Sequence, residues 1–96
     1  MAKIYDRVEK KFVNVQSMRN LLFHTAPKYE FFLHKRYKDK GYTVSERTTG
    51  CAVAHGETQY STIMKANEKL DSLPKGELDN AVKRAMEVQE NDKTRV

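Results

Sequence analysis

The clearest hydrophobic pattern of this chain lies in its last third, where apolar residues recur at helical spacing. Positions i, i+3, i+4, i+7 and i+8 are all apolar there, namely Leu78, Ala81, Val82, Ala85 and Met86. This spacing is typical of one face of an amphipathic helix. Residues 57–71 carry a similar face, made of Tyr60, Ile63, Met64 and Leu70. Because only Pro74 and Gly76 break the pattern between them, we expect two helices joined as a helical hairpin.

The first part of the chain predicts helices less directly. Residues 1–13 place Ile4, Val8 and Phe12 on one helix face, although residues 11–15 fit a short strand equally well, and we favour the helix. A second helix would begin with Asn14 or Ser17 as its N-cap. It would bury four apolar side chains, Val15, Met18, Leu21 and Leu22.

A third helix is predicted from Pro27 to Lys40. Proline is favoured at the first position of a helix, because its missing N–H would have no partner there. Gly41 follows as a natural C-terminal cap. One face of this helix would be apolar and aromatic, formed by Tyr29, Phe32, Leu33 and Tyr37.

In residues 42–54 the helical spacing gives way to alternation, which predicts a β-hairpin. Tyr42–Glu46 alternates between outward and inward positions, and Thr49 and Gly50 offer a turn before the next apolar segment. The predicted fold class is therefore mainly α, with four to five short helices around one small core and a β-hairpin near residues 42–54. We expect residues 1–89 to form a single helical domain and residues 90–96 to form a polar, disordered tail.

Composition narrows the class of protein. The 96 residues are 39% hydrophobic and 32% charged, which predicts a thin core that dimerisation would supplement. No apolar run approaches the length of a membrane span, and the first residues lack the apolar segment of a signal peptide. Cys51 is the only cysteine, so no internal disulfide is possible. We therefore expect a cytoplasmic protein without a membrane partner.

Charge is distributed unevenly along the chain. Residues 1–48 hold eleven Lys and Arg against five Asp and Glu, a net charge of +6, whereas residues 49–96 hold seven against eight, a net charge of −1. A basic half of this kind favours a nucleic acid or an acidic protein surface as partner.

The predicted helix 28–40 concentrates that charge around an aromatic ring. Lys28, Phe31, Lys35 and Lys38 would share one face, and Arg36, Lys40, Arg19 and Arg47 would extend it. Ammonium groups beside an aromatic ring suit phosphates and a stacked base, so the leading hypothesis is a non-enzymatic, regulatory nucleic acid-binding protein with sequence-independent contacts. The alternative is a small regulator or inhibitor that binds another protein through its basic or helical-hairpin surface. Surface lysines that merely solvate a helix would show the same pattern.

Four further residues have the chemistry of a zinc site, which gives a second alternative. His24, His34, Cys51 and His55 carry the nitrogen and sulfur donors that zinc prefers, but they lack the two close pairs of a strong signature. Cys51 with a histidine is also conceivable as a nucleophile and base, although a free cysteine is more often a small buried apolar residue. The sequence thus predicts no cofactor, no metal and no enzyme.

Overall fold

Six strands and two helices make up residues 2–94, the part of the chain that the computed structural model describes. The strands are β1 (Ala2–Asp6), β2 (Lys11–Val15), β3 (Arg19–Leu21), β4 (Phe31–Lys35), β5 (Tyr42–Glu46) and β6 (Ala52–Gly56). The helices are α1 (Gln59–Ser72) and α2 (Glu77–Thr94). β1 and β2 pair as an antiparallel hairpin, and β3-β4-β5-β6 form a four-stranded antiparallel sheet in chain order. The fold is therefore α+β.

The predicted mainly α class is wrong in the first half of the chain. The helix favoured over residues 1–13 is the β1–β2 hairpin, the helix predicted from Asn14 or Ser17 is replaced by β3, and the helix predicted over 27–40 is replaced by β4 and a loop. The cause is clearest in β4, which lies inside the sheet and is covered on both faces. A strand buried on both faces shows a continuous apolar run without alternation, so its sequence does not distinguish it from a buried helix.

The two faces of β4 contribute to two different cores. Phe31 and Leu33 face α1, where they pack with Val44, Ala66 and Leu70. Phe31 also contacts Phe23 edge to face, with 5.3 Å between the ring centroids. The second core lies on the opposite face, where Phe32 packs against Ala2 and Ile4 of the β1–β2 hairpin. The molecule is thus layered as helix, sheet and hairpin.

The β1–β2 hairpin docks on the turn between β5 and β6. The backbone N–H of Tyr5 donates to the carbonyl of Gly50 across 3.0 Å. Gly50 has a φ of +70°, and a Cβ atom there would lie 2.8 Å from the nitrogen of Tyr5. Glycine is therefore required at this position for both its backbone conformation and its lack of a side chain.

A buried carboxylate organises the same turn. Glu46 is 3% exposed, and its side chain accepts hydrogen bonds from the backbone of Thr48 at 2.6 Å and of Thr49 at 3.0 Å. The hydroxyl of Thr49 donates to it as well, at 2.8 Å. The predicted β-hairpin near residues 42–54 is present here as β5 and β6, with its second strand continuing to Gly56.

Both predicted C-terminal helices are present. α1 begins at a Thr58 N-cap, whose hydroxyl accepts from the backbone of Ser61 at 3.0 Å. α2 continues to Thr94, and thus into the segment that was expected to be a disordered tail; positions 95 and 96 of that segment lie outside the described residues.

Polar contacts attach α2 to the rest of the molecule near both of its ends. Near its start the hydroxyl of Tyr29 donates to Asp79, and near its end Gln89 Nε2 donates to the carbonyl of Thr49 across 2.7 Å. Between these points, a cavity of about 230 Å³ lies between α2 and the residues of β6 and α1, although Leu78 at the start of α2 packs against the core. The helix is held mainly through its ends.

Candidate anion-binding groove

The β4–β5 loop, residues 36–41, positions a group of basic side chains at one end of the sheet. The N–H of Arg36 donates to the carbonyl of Gly41 across 3.0 Å and closes the loop. Lys38 and Gly41 both have positive φ, of 61° and 100°. A Cβ atom at Gly41 would lie 2.5 Å from the carbonyl oxygen of Gly56, so the absence of a side chain there lets the loop lie directly beside the end of β6.

An open groove of about 670 Å³ runs between this loop and the start of α1. We call it the cationic groove. Its lining residues are Arg36, Lys40, Gly41, His55, Gly56, Glu57, Ser61 and Lys65. Three basic side chains, Arg36, Lys40 and Lys65, therefore line it, against the single carboxylate of Glu57. The first turn of α1 has no acidic residue, so the positive end of that helix adds to the potential of the groove.

A second depression of about 300 Å³, the hairpin cavity, lies between the β1–β2 hairpin and the sheet. It adjoins the cationic groove, because Arg36 and His55 line both. The remaining lining residues are Ile4, Tyr5, Asp6, Arg7, His34, Tyr37, Thr43, Ser45, Gly50 and Ala52. Most of these residues carry a polar group, although the surface of the cavity is mainly apolar, and two arginines from different elements of the fold line it.

Hydrogen bonds fix the tautomer of His34 in the wall of this cavity. His34 Nδ1 lies 2.7 Å from the carbonyl oxygen of Lys35, and Nε2 lies 2.8 Å from Ser45 Oγ. Burial lowers the pKa of His34, while the hydrogen bond to the Lys35 backbone raises it. Because a carbonyl can only accept, the proton of the neutral ring is on Nδ1, and the Ser45 hydroxyl donates to Nε2.

His55 lies in an electropositive environment. Its Nδ1 is 2.8 Å from Thr43 Oγ1. Burial lowers the pKa of His55, and the positive charges of Arg36 and Lys69 lower it further. A bound anion would oppose that effect, because a negative charge nearby favours the protonated imidazole.

The structure separates the residues predicted to form one basic face. Lys35, Arg36, Lys38 and Lys40 lie together at the β4–β5 loop, whereas Lys28 is at the other end of β4, roughly 17 Å away over five strand residues. Lys28 is paired with Asp79 across 3.6 Å.

The other three predicted residues lie away from the loop. Arg47 lies near the start of β4, where it pairs with Glu30 across 3.5 Å and lies over the ring of Phe32. Arg19 is on the edge strand β3. Phe31 is fully buried, so it is unable to stack on a base.

Two residues of the groove were not identified from the sequence. Lys65 was not selected, and His55 was considered as a zinc ligand and not as part of a basic surface. Lys65 looks like an ordinary member of the polar face of α1, and nothing in its neighbourhood in the sequence connects it with residues 36–41. The connection comes from pairing, because the register Tyr42↔Gly56 brings the end of β6 and the start of α1 beside the loop. Gly41 and Gly56 are the local signals of that close approach, because an added Cβ atom at either position would lie 2.5 Å from a neighbouring oxygen.

The four candidate zinc ligands are not brought together. His34 and His55 both line the hairpin cavity, Cys51 lines the cavity under α2, and His24 is exposed in the β3–β4 connection. Within residues 2–94 no three His, Cys, Asp or Glu side chains are grouped as a metal site would require. Neither helix of that part of the chain is long and apolar enough to cross a membrane.

Comparisons with protein-family models, with curated proteins and with solved structures find no match to this chain.

Proposed function

We propose that this protein is a non-enzymatic module that binds nucleic acid through the cationic groove. One observation carries the proposal: Arg36, Lys40 and Lys65, from two separate elements, line a single open groove. A phosphate backbone is a linear array of negative charges, and a groove lined by cations is the surface that tracks it.

The chemistry of these three side chains suits phosphate oxygens. The guanidinium of Arg36 offers a planar fork of donors, and the two ammonium groups act as mobile point charges. Arg36 is paired with Asp39 across 3.5 Å, but both side chains are substantially exposed. An exposed pair of this kind contributes little stability, so a phosphate can compete for the guanidinium.

The expected binding has little sequence preference. Lysine and arginine contacts to phosphates set the position of a protein on a strand without reading its bases. Because Phe31 is buried, the aromatic stacking expected from the sequence is not part of the proposal. Affinity then depends on the number of neutralised phosphates and on salt.

The test is a fluorescence-anisotropy titration with a labelled duplex and a labelled single strand at about 50 and 200 mM salt. Three cations predict a slope of log K against log salt of about −2.7 for the duplex, which is about a 40-fold loss over that range. Replacing Lys40 and Lys65 with alanine leaves one cation, so the slope should fall to about −0.9 and the loss to about fourfold.

A matched control removes the same net charge elsewhere. Lys28 and Lys75 line a separate depression near the end of α1, so the double substitution Lys28→Ala and Lys75→Ala should keep the salt slope of the unaltered protein. Equal slopes for the two double variants would show that net charge, rather than the groove, binds the nucleic acid. If neither duplex nor single strand binds at low salt, the proposal fails and an acidic protein surface becomes the better partner.

A further inference from the structure

The hairpin cavity is smaller than the cationic groove and has a different set of lining residues. It is about 300 Å³, at the small end of the range of ligand pockets, so it suits a compact group rather than a length of polymer. Arg7 enters from the end of β1 and Arg36 from the end of β4. Two arginines from different elements therefore line one small depression, although Arg7 also borders the cavity under α2, and this pair of charges favours a compact anion.

Two hydroxyl groups of the cavity wall are already hydrogen-bonded to imidazoles. The Ser45 hydroxyl is committed to His34, and Thr43 is hydrogen-bonded to Nδ1 of His55. His55 therefore has Nε2 as the nitrogen able to face a ligand. The one carboxylate in the lining, Asp6, already accepts from the backbone of Val8 at 3.0 Å and of Glu9 at 3.2 Å.

We propose that the hairpin cavity binds a phosphomonoester group, with Arg7, Arg36 and His55 contacting its oxygens. A phosphomonoester carries a charge of about −1.5 to −2 near pH 7, against one for each phosphate of a strand, and it presents three terminal oxygens. Two arginines and an imidazole match that charge and that number of acceptors. A phosphodiester inside a strand has fewer free oxygens and is part of a polymer, which the larger groove accommodates better.

The position of the cavity indicates where such a group would come from. Because Arg36 and His55 line both depressions, a strand lying in the groove could place its terminal phosphate in the cavity. This source rests on the proposed function, whereas the phosphate site itself does not. A small phosphorylated molecule would offer the same chemistry.

The first measurement follows the imidazole signals by NMR while inorganic phosphate or adenosine 5′-monophosphate is added to the full chain. Binding should raise the pKa of His55, because the anion opposes the effect of Arg36. Arg36→Ala or Arg7→Ala should abolish most of this response. Arg19→Ala removes one arginine from the edge strand β3 and serves as the control, with an unchanged response.

The second measurement compares oligonucleotides that carry a terminal phosphate, at the 5′ or 3′ end, with those ending in hydroxyls. A terminal phosphate should tighten binding about tenfold, the size of one charge-assisted contact. Arg7→Ala should remove this preference and leave the binding of hydroxyl-ended strands unchanged, since Arg7 does not line the groove.

The outcomes separate the two proposals. A response of His55 to the mononucleotide without binding of either strand would retain the phosphate site and overturn the proposed function. If strands with a terminal phosphate and strands with terminal hydroxyls bind with equal affinity, and His55 responds to neither phosphate nor mononucleotide, the phosphate site is wrong and the groove is retained. If neither strand nor mononucleotide has any effect, both proposals are wrong.

Discussion

Gly50 provides the sharpest test of how the β1–β2 hairpin is held on the sheet. Replacing it with alanine forces a side chain into the left-handed region, at a φ of +70°, and against the backbone of β1. The new Cβ would lie 2.8 Å from the nitrogen of Tyr5, 2.9 Å from Cα of Ile4 and 2.9 Å from the carbonyl oxygen of Lys3. All three atoms belong to the backbone, so no side-chain rotation relieves the contact.

Gly76 gives a matched comparison, because it has a φ of +83° and nothing within 4 Å of the position of an added Cβ. Gly76→Ala should therefore cost only the conformational term, about 1 kcal/mol. Gly50→Ala adds the displacement of β1, which partly exposes the buried Ile4 and costs about 2 kcal/mol more. The expected loss of unfolding free energy is thus about 3 kcal/mol for Gly50→Ala.

Urea and thermal unfolding followed by circular dichroism would measure both variants. For a chain of this size, Tm should fall by about 5 °C for Gly76→Ala and by about 15–20 °C for Gly50→Ala. Losses of free energy that agree within about 0.5 kcal/mol would refute the reasoning, since they would mean that β1 yields to the added methyl group at no cost.

Three further predictions concern buried or hydrogen-bonded groups. Glu46→Gln should lower the unfolding free energy by about 2–3 kcal/mol in urea titrations, because the new amide places an N–H group against the N–H donors of the turn. The control Glu30→Gln, at an exposed carboxylate, should cost at most about 0.5 kcal/mol. Burial lowers the pKa of His34 in the folded state, so the unfolded chain binds more protons and stability should fall as pH drops below about 6.5. The stability of His34→Gln should depend less on pH between about pH 7 and 5, and an unchanged dependence would contradict the lowered pKa of His34. The hydrogen bond to Asp92 raises the pKa of Tyr5 to about 12, so its contribution to stability is present below about pH 10 and is lost as pH rises towards 12. Tyrosinate absorbance should show one fewer late-titrating phenol in Tyr5→Phe, and an unchanged titration would rule out this hydrogen bond.

The C-terminal helices could be predicted from the helical spacing of their apolar residues, although only α1 buries a face, whereas the apolar positions of α2 are half-buried or exposed. Leu78 and Leu70 contact the same core from the two helices, but the predicted faces also included Tyr60 and Met86, which are 74% and 51% exposed. The β5–β6 hairpin was predictable for a similar reason, since alternation and turn residues are local signals.

The β1–β2 hairpin shows how a short sequence fits two periods. Ile4, Val8 and Phe12 fit one helix face, yet Val8 is 88% exposed at the tip of the turn. The informative alternation was Ala2 and Ile4 on β1, both of them buried. The choice between helix and strand depends on the face of the four-stranded sheet that this hairpin covers, which is a property of the tertiary structure.

The candidate site was predictable as far as it is contiguous in the sequence. Arg36 and Lys40 lie in one short basic segment, and the sequence therefore placed them together even with the wrong secondary structure. Lys65 and His55 join them through strand pairing and helix placement. Phe31 was assigned to the surface because the helical wheel puts it among lysines, whereas a strand points it into the core.

The way in which α2 is attached has a consequence for hydrogen exchange. Its polar contacts lie near its ends, and the cavity beneath its middle leaves few apolar contacts to break. We expect the amides of α2 to exchange through detachment of the whole helix, at a free energy well below that of global unfolding. The amides of β4, which lies between two strands and two cores, should exchange only when the sheet itself comes apart. We therefore expect two levels of cooperativity, one for the sheet and a lower one for the C-terminal helix.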